Sequence, residues 1–300
     1  MTYQLVIVGG GPAGITAAIY ASRKRIKTAI LTKDFVGQTG RAGKIENYPG
    51  EISIDGADLM KKYEEHVRSL DIDIMEEVTV SGINKKGDNF IVDTGENLET
   101  STVIIASGRN PRPLKVPGEE FFLGRGVSYC AARDGSSFKD KKVVVVGGGD
   151  SGFKAALQLK EYCPEVSVLE FMPKLRAEEA SVEKAREAGI EIVTGARLKE
   201  IKGEESVSSL VYQKDGEENV IAAEGVFIEV GSTPATSFVN DLVDFNDKGE
   251  IAVDPYTGKT KTEGLFAAGD VTDGRDKQIT VACGEGVRAL VSAYNYLQND

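Results

Sequence analysis

Short runs of uninterrupted apolar residues punctuate this chain. Leu5–Val8 (LVIV) and Val143–Val146 (VVVV) are too short for helices and too uniformly apolar for half-exposed strands. Each therefore predicts a strand buried on both faces of a parallel sheet. Both runs break at glycines, in LVIVGGGPAG (5–14) and VVVVGGGDSG (143–152), and continue into the alanine-bearing stretches ITAAIYASRKR and FKAALQLKEY, which read as helices. The chain thus writes strand, glycine turn and helix twice, 138 residues apart.

Further short apolar segments complete the pattern. KTAILT (27–32), VIIASG (103–108), VSVLEF (166–171), VFIEVGSTPAT (226–236), GEIAVD (249–254) and TEGLFAAGD (262–270) each predict a strand. NKKGDN (84–89) and KGEESVSS (202–209) predict hairpin turns or loops. ACGEGVRALVSAYNYLQ (282–298) predicts a closing helix with Val287, Leu290, Val291 and Tyr294 on its apolar face. The three prolines of RNPRPLKVPGEE (109–120) disfavour helix and mark a crossing between domains. The expected fold class is α/β: two doubly wound dinucleotide-binding domains, the second inserted into the first. The expected boundaries are 1–113 with 244–300 for the first and 114–243 for the second.

The glycine spacing, G-x-G-x-x-G, carries specific chemistry. The first glycine (Gly9, Gly147) makes the tight turn and the second (Gly11, Gly149) lets backbone approach a pyrophosphate. The third (Gly14, Gly152) lets helix pack on strand, and the phosphates then rest on N–H donors at the helix N-terminus. One such motif is weak evidence; two in strand–turn–helix context predict two dinucleotide sites. Glu170 ends the strand after the second motif, 21 residues past Gly149, where an acid accepts hydrogen bonds from the adenosine ribose of NAD. A 2′-phosphate there would face a carboxylate, with Phe171, Met172 and Pro173 beside it, although Lys174 and Arg176 lie a little further on. After the first motif the matching acid is unclear, and the turn-rich segment KDFVGQTGRAGKIENYPG (33–50) suggests a loop wrapping an elongated ligand.

Bulk composition narrows the picture. Three hundred residues suit two domains, and 41% hydrophobic with 28% charged residues is ordinary for a globular protein. A net charge of −11 argues against nucleic-acid or anionic-membrane partners, which need a basic surface. Three scattered cysteines, Cys130, Cys163 and Cys283, fit neither a secreted disulfide framework nor a zinc site. The N-terminus passes into an apolar strand by Leu5 with no basic leader or long apolar run, so the expected compartment is the cytoplasm. No metal site is expected. His66, the lone histidine, lies in the charged stretch MKKYEEHVRSL and reads as a surface or structural residue.

Taken together, these pieces resemble thioredoxin-reductase-type flavoproteins, the low-molecular-weight branch of the pyridine nucleotide–disulfide oxidoreductases. The likeness rests on VIVGGGPAG, GQ followed by KIENYPG, VIIASG, SYCAARDG (128–135), VVVVGGGDSG, VFIEVGSTPAT, and LFAAGDV with KQITVACGEG (277–286), and spans nearly the whole chain. LEFMPKLRAEE (169–179) and KQITVACGEG are most similar to the NADH-dependent flavoprotein component of alkyl hydroperoxide reductases. An arginine cluster of the kind that signals NADPH is missing where Glu170, Phe171 and Met172 stand.

The resemblance implies FAD in the first domain, with Gly9, Gly11, Pro12, Ala13 and Gly14 at its pyrophosphate. Thr32, Gln38 and Asn47 would line the wrapping loop, and Ser107 and Gly108 would lie along the cofactor. Gly269 and Asp270 would meet the ribityl chain or phosphates, with Lys277, Gln278 and Ile279 at the isoalloxazine. NADH would occupy the second domain at Gly147, Gly149, Asp150, Ser151, Gly152 and Glu170. A homodimer, and rotation of the inserted domain between two poses, are also implied.

One motif departs from the family. Relatives carry Cys-x-x-Cys followed by Asp; here Cys130, Asp134 and Gly135 match, but Arg133 stands at the second cysteine. An internal dithiol relay is therefore not expected. Cys130 reads as a relict packed like a small apolar residue, as a one-thiol centre passing through sulfenic acid or a mixed disulfide, or as a thiol that pairs with another molecule. Arg133 reads either as a cation that lowers the thiol pKa or steadies reduced flavin, or as a surface residue. Cys283, near the start of the closing helix, reads first as structural.

Three functions remain open at this point. The first is an oxidoreductase passing hydride from NADH to FAD and on to a small-molecule or protein acceptor. The second is a thioredoxin-disulfide or peroxide reductase working through Cys130 alone or with a partner thiol. The third is a non-catalytic flavin-binding relative.

Overall fold

Alternating buried strands and helices build two α/β units. The computed structural model describes residues 2–42 and 44–299. One unit comprises Met1–Asn110 with Thr233–Asp300, the other Pro111–Ser232. The outgoing crossing falls in the proline-rich linker, as its stiffness suggests. The return crossing comes at 232/233, ahead of the expected 243, because Val239 and Val243 are buried in the first unit's core beside Val8, Ile105 and Val271.

In the first unit, β1 (Thr2–Val8) leads through the glycine turn into α1 (Pro12–Arg23) and then β2 (Thr28–Leu31). Next come α2 (Gly56–Arg68), β3 (Asp73–Met75), the hairpin of β4 (Gly82–Lys86) with β5 (Asn89–Asp93), and β6 (Asn97–Ile105). The strand order is β3-β2-β1-β6-β5-β4. β1 pairs parallel with both β2 and β6, and the hairpin lies antiparallel at the edge. All four residues of β2 are buried, as a strand covered on both faces requires.

The second unit contains β7 (Val127–Ser128), α3 (Ala131–Asp134), β8 (Lys142–Val146), α4 (Asp150–Lys160), β9 (Glu165–Glu170), α5 (Glu179–Glu187) and β10 (Glu191–Thr194). An antiparallel sheet of β11 (Arg197–Gly203), β12 (Val207–Lys214) and β13 (Glu217–Ala222) follows, before β14 (Gly225–Ile228) rejoins the parallel sheet. That sheet runs β7-β14-β8-β9-β10. Chain order proceeds from β8 toward β10 on one side and returns through β14 on the other, so the crevice at the carboxyl ends of β8 and β14 is a topological switch point. Ligands bind at such points in open α/β sheets.

Back in the first unit, β15 (Leu265–Ala267) pairs parallel with β6, and α6 (Ile279–Asn299) closes the chain. GEIAVD is not the strand its pattern predicts. Ile251 makes only isolated bridges to Phe245 and Thr272. The segment is instead tied as a turn by Asn246, whose Oδ1 accepts the N–H groups of Lys248 (2.9 Å) and Glu250 (3.0 Å).

The buried face of α6 also differs from expectation. Leu290 is buried and Tyr294 packs partly buried on the same core as predicted, but Val287 is only half-buried, Val291 is 39% exposed, and the rest of the buried face is Ala282, Gly286, Ala289 and Ala293. Small residues win because α1 and α6 pack closely: a Cβ on Gly286 would stand 2.2 Å from the Ala13 carbonyl oxygen. Gly286→Val is therefore expected to destabilise the protein by about 2–3 kcal/mol through overpacking, read as a lowered thermal midpoint. No helix among the described residues is long and apolar enough to cross a membrane.

Candidate functional site

Each glycine turn shows the same division of labour. Gly9 has φ +120°, and a Cβ there would lie 2.2 Å from Ala106 O; one on Gly14 would lie 1.9 Å from Gly9 O. In the second unit, Gly147 has φ +124° with Glu229 O at 2.2 Å, and Gly152 would strike Gly147 O at 1.9 Å. The outer glycines are thus demanded by backbone packing. The middle ones, Gly11 and Gly149, face open space with nothing within 4 Å. Each is the N-cap of its helix, with no side chain capping it, so first-turn N–H donors are presented to that open space. This is a shape an anionic pyrophosphate fits.

In the first unit the turn opens into a cavity of about 560 Å³, within the range of small-molecule and cofactor sites. Its wall includes Gly9, Gly11, Pro12, Ala13, Thr32, Gln38, Ser107, Gly108, Gly269, Asp270, Lys277, Gln278 and Ile279. Gly14 lies beneath the turn. Asn47 reaches the site indirectly, its Nδ2 donating to Gln278 Oε1 at 3.0 Å. Thr32 occupies the place in this unit that Glu170 occupies in the other: Gly10 abuts Thr32 as Gly148 abuts Glu170. The acid missing after the first motif is therefore a threonine.

Asp270 and Gln38 close one side, Gln38 Nε2 donating to Asp270 Oδ2 at 3.2 Å. Burial pushes the Asp270 carboxyl above the usual range, while Lys277 and Arg109 pull it back. Sequence reasoning missed Arg109 and Glu250. Glu250 is buried and accepts from Arg109 Nη1 and Asn246 Nδ2, each at 2.7 Å, with Lys277 Nζ at 3.5 Å. Burial raises its carboxyl, but Asn246, Lys277 and Arg109 together hold it below the ordinary value. A charged residue inside the apolar segment GEIAVD was the available signal. Val78–Val80, Ser237 and Phe238 also border the cavity, and no pattern in the sequence marked them; Ala235, inside VFIEVGSTPAT, borders it as well.

In the second unit both Glu170 oxygens accept backbone N–H groups, Oε2 from Gly148 at 2.5 Å and Oε1 from Met172 at 2.6 Å. Each retains a lone pair for a further donor. Asp150 Oδ1 accepts the Glu178 N–H at 2.8 Å, tying the 170–178 loop to α4. Ser151 is exposed on the first turn of α4. The Arg176 N–H donates to Gly148 O at 3.2 Å, and Lys174 and Arg176 are exposed.

Cys130 is 2% exposed and caps α3, its Sγ accepting the Arg133 backbone N–H at 3.3 Å. The Arg133 guanidinium is held by Asp134, with Nε to Oδ1 at 2.7 Å and Nη2 to Oδ2 at 2.8 Å. Asp134 also accepts from Ser128 Oγ at 2.5 Å. Cys163 and Cys283 stand apart: Cys163 Sγ donates to Phe138 O and burial raises its thiol, while Cys283 Sγ lies 3.2 Å from Tyr63 OH. No disulfide joins any of the three cysteines among the described residues.

Comparison with known proteins agrees with this architecture. Residues 3–286 match the pyridine nucleotide-disulphide oxidoreductase family. The chain is 39% identical over 300 residues to an NADH dehydrogenase of Bacillus subtilis (strain 168), covering 98% of this chain and 58% of that protein. It is 37% identical to the F component of the alkyl hydroperoxide reductase of Staphylococcus aureus (strain NCTC 8325 / PS 47), covering 98% and 59%. It thus spans less than two thirds of these curated relatives. Among solved structures, T. acidophilum thioredoxin reductase superposes with a TM-score of 0.88 at 39% identity over 98% of both chains. Lactococcus lactis thioredoxin reductase does so with 0.90 at 38% identity over 99% and 100%. The twin glycine cradles, the parallel sheets behind them and these likenesses lead to one assignment: the chain belongs to the pyridine nucleotide-disulphide oxidoreductase family.

Proposed function

We propose that this chain is an FAD-dependent oxidoreductase of the thioredoxin-reductase type. In this reading the first unit (Met1–Asn110 with Thr233–Asp300) holds FAD and the second (Pro111–Ser232) holds NADH. Reducing equivalents go to a small-molecule or protein acceptor without an internal dithiol, and the working form is a homodimer. The observation that carries this is the pair of cradles in which the outer glycines are locked and the middle one faces open space.

FAD, when bound, supplies two-electron acceptance from a nicotinamide and release of those electrons to an acceptor. The chain's residues bind and orient. N–H donors after Gly11 hold the pyrophosphate, and Asp270, paired with Gln38, accepts ribityl hydroxyls. Lys277 and the N–H groups of the first turn of α6 put positive potential at the cavity wall, beside the neutral Gln278 amide. Glu170 accepts ribose hydroxyls and disfavours a 2′-phosphate, which supports NADH over NADPH.

Arg133 stands in for a flavin-side cysteine in this reading, and its guanidinium serves Asp134. One feature favours a second reading, disulfide reduction through Cys130 and a partner thiol: a cysteine stands at the first position of the motif, its sulfur accepting the Arg133 N–H at the start of α3. Cys130→Ser separates the two. NADH consumption with dioxygen or a quinone is expected to stay within about twofold, equivalent to ~0.4 kcal/mol in the barrier. A loss beyond tenfold would move the chemistry onto sulfur.

A further inference from the structure

The two units repeat one another closely enough that a mismatch between them carries information. In the first unit the residue after β6 is Ala106, whose N–H donates to Val8 O at 2.8 Å and whose carbonyl lies over Gly9. In the second unit the residue after β14 is Glu229, whose N–H donates to Val146 O at 2.8 Å and whose carbonyl lies over Gly147 in the same way. Ala106 walls the 560 Å³ cavity beside the glycine turn. Its counterpart is an acid where the fold needs only a methyl group.

Topology fixes which side of the crevice this acid serves. In the order β14-β8-β9, the Gly147 turn follows the central strand, Glu170 ends β9, and Glu229 follows β14. The turn is therefore flanked by one acidic residue on each side. A dinucleotide lying across the switch point with its pyrophosphate on the turn has its adenosine on the Glu170 side, which leaves the nicotinamide half on the Glu229 side. Unlike Glu170, Glu229 has no hydrogen bond or ion pair to its carboxylate among the described residues.

We infer that Glu229 is the nicotinamide-side contact of the second crevice, an acid whose charge favours the oxidised, cationic nicotinamide over the reduced, neutral one. The inference rests on reading the second unit as the pyridine-nucleotide unit, and it adds a residue and a pH response to that reading. Burial pushes the Glu229 carboxyl up to about 7. The charged and titratable groups on surrounding elements are Lys142, Asp150, Lys154, Lys160 and Glu170, Tyr212 and Lys214 on β12, Arg112 opposite Gly231, and, after β7, Tyr129, Cys130, Arg133 and Asp134. None adds to the shift, for which burial is the cause. The carboxyl is mostly neutral at pH 6 and mostly ionised at pH 8. A carboxylate attracts a nicotinamide cation and leaves the neutral dihydro ring unaffected.

The test is calorimetric titration of the purified full chain with NAD+ and with 1,4,5,6-tetrahydro-NAD, a neutral nucleotide that cannot donate hydride. In the wild type, the affinity ratio of NAD+ to the tetrahydro form is expected to rise about tenfold from pH 6 to pH 8. In Glu229→Gln, which keeps shape and hydrogen bonding, the ratio should stay flat at the low-pH value, and Glu229→Ala should behave alike. A Glu170→Gln control should weaken both nucleotides and keep the pH response. A flat ratio in the wild type, or an unchanged pH response in both Glu229 variants, overturns the role of Glu229 and leaves the nucleotide reading intact. Failure of either nucleotide to bind the wild type overturns both.

Discussion

Replacing Gly11 by aspartate is expected to give a folded protein that purifies without flavin. The fold should survive because a Cβ at Gly11 meets nothing within 4 Å and the residue's φ is −84°, open to any side chain. Flavin should be lost because the new carboxylate points where a pyrophosphate would rest. Two like charges about 4 Å apart at an effective dielectric near 20 repel by about 4 kcal/mol, roughly a thousandfold in affinity. Gly149→Asp makes the same change in the second unit, where φ is −92° and the space is equally open. That protein should stay yellow and lose NADH binding. Circular dichroism, flavin content and NADH titration on the two variants check this double dissociation. Loss of flavin from Gly149→Asp, or retention by Gly11→Asp, would contradict the assignment of ligands to units.

Glu170→Ala carries the second large effect. The carboxylate orients the turn through the Gly148 and Met172 N–H groups, and in our reading it also takes the ribose hydroxyls. Hydrogen bonds to a charged group are worth about 1.5–3 kcal/mol each, so kcat/KM for NADH is expected to fall about 10- to 100-fold. NADPH should lose less, because removing the carboxylate also removes repulsion of a 2′-phosphate, with Arg176 held nearby by its N–H bond to Gly148 O. The NADH/NADPH preference therefore narrows. An equal loss with both nucleotides would assign Glu170 a structural role alone.

Strand–turn–helix repeats were legible from sequence because their constraints are local: a β-branched run, a turn only glycine can make, a helix start. Elements governed by tertiary contact were not. The face of α6 was misread because close approach to α1 selects Ala282, Gly286 and Ala289, which hydrophobic patterning ranks below Val291. GEIAVD has the composition of a strand, yet Asn246 and the buried Glu250 commit it to a turn that holds Arg109 and Lys277. The domain boundary shifted because Val239 and Val243 belong to the first core, and burial is a property of the folded chain. Glu229 was in plain view as an acid directly following an apolar strand, but its place beside Gly147 required the pairing of β14 with β8.

The central claim is that two cradles deliver electrons from NADH to a flavin with no dithiol between them. Its most direct test is anaerobic titration of the purified protein, followed by flavin absorbance. The account predicts a flavin spectrum that bleaches with about one equivalent of NADH, far more slowly with NADPH, and equally well in Cys130→Ser. A protein that holds no flavin, or a flavin that NADH leaves oxidised, would contradict it.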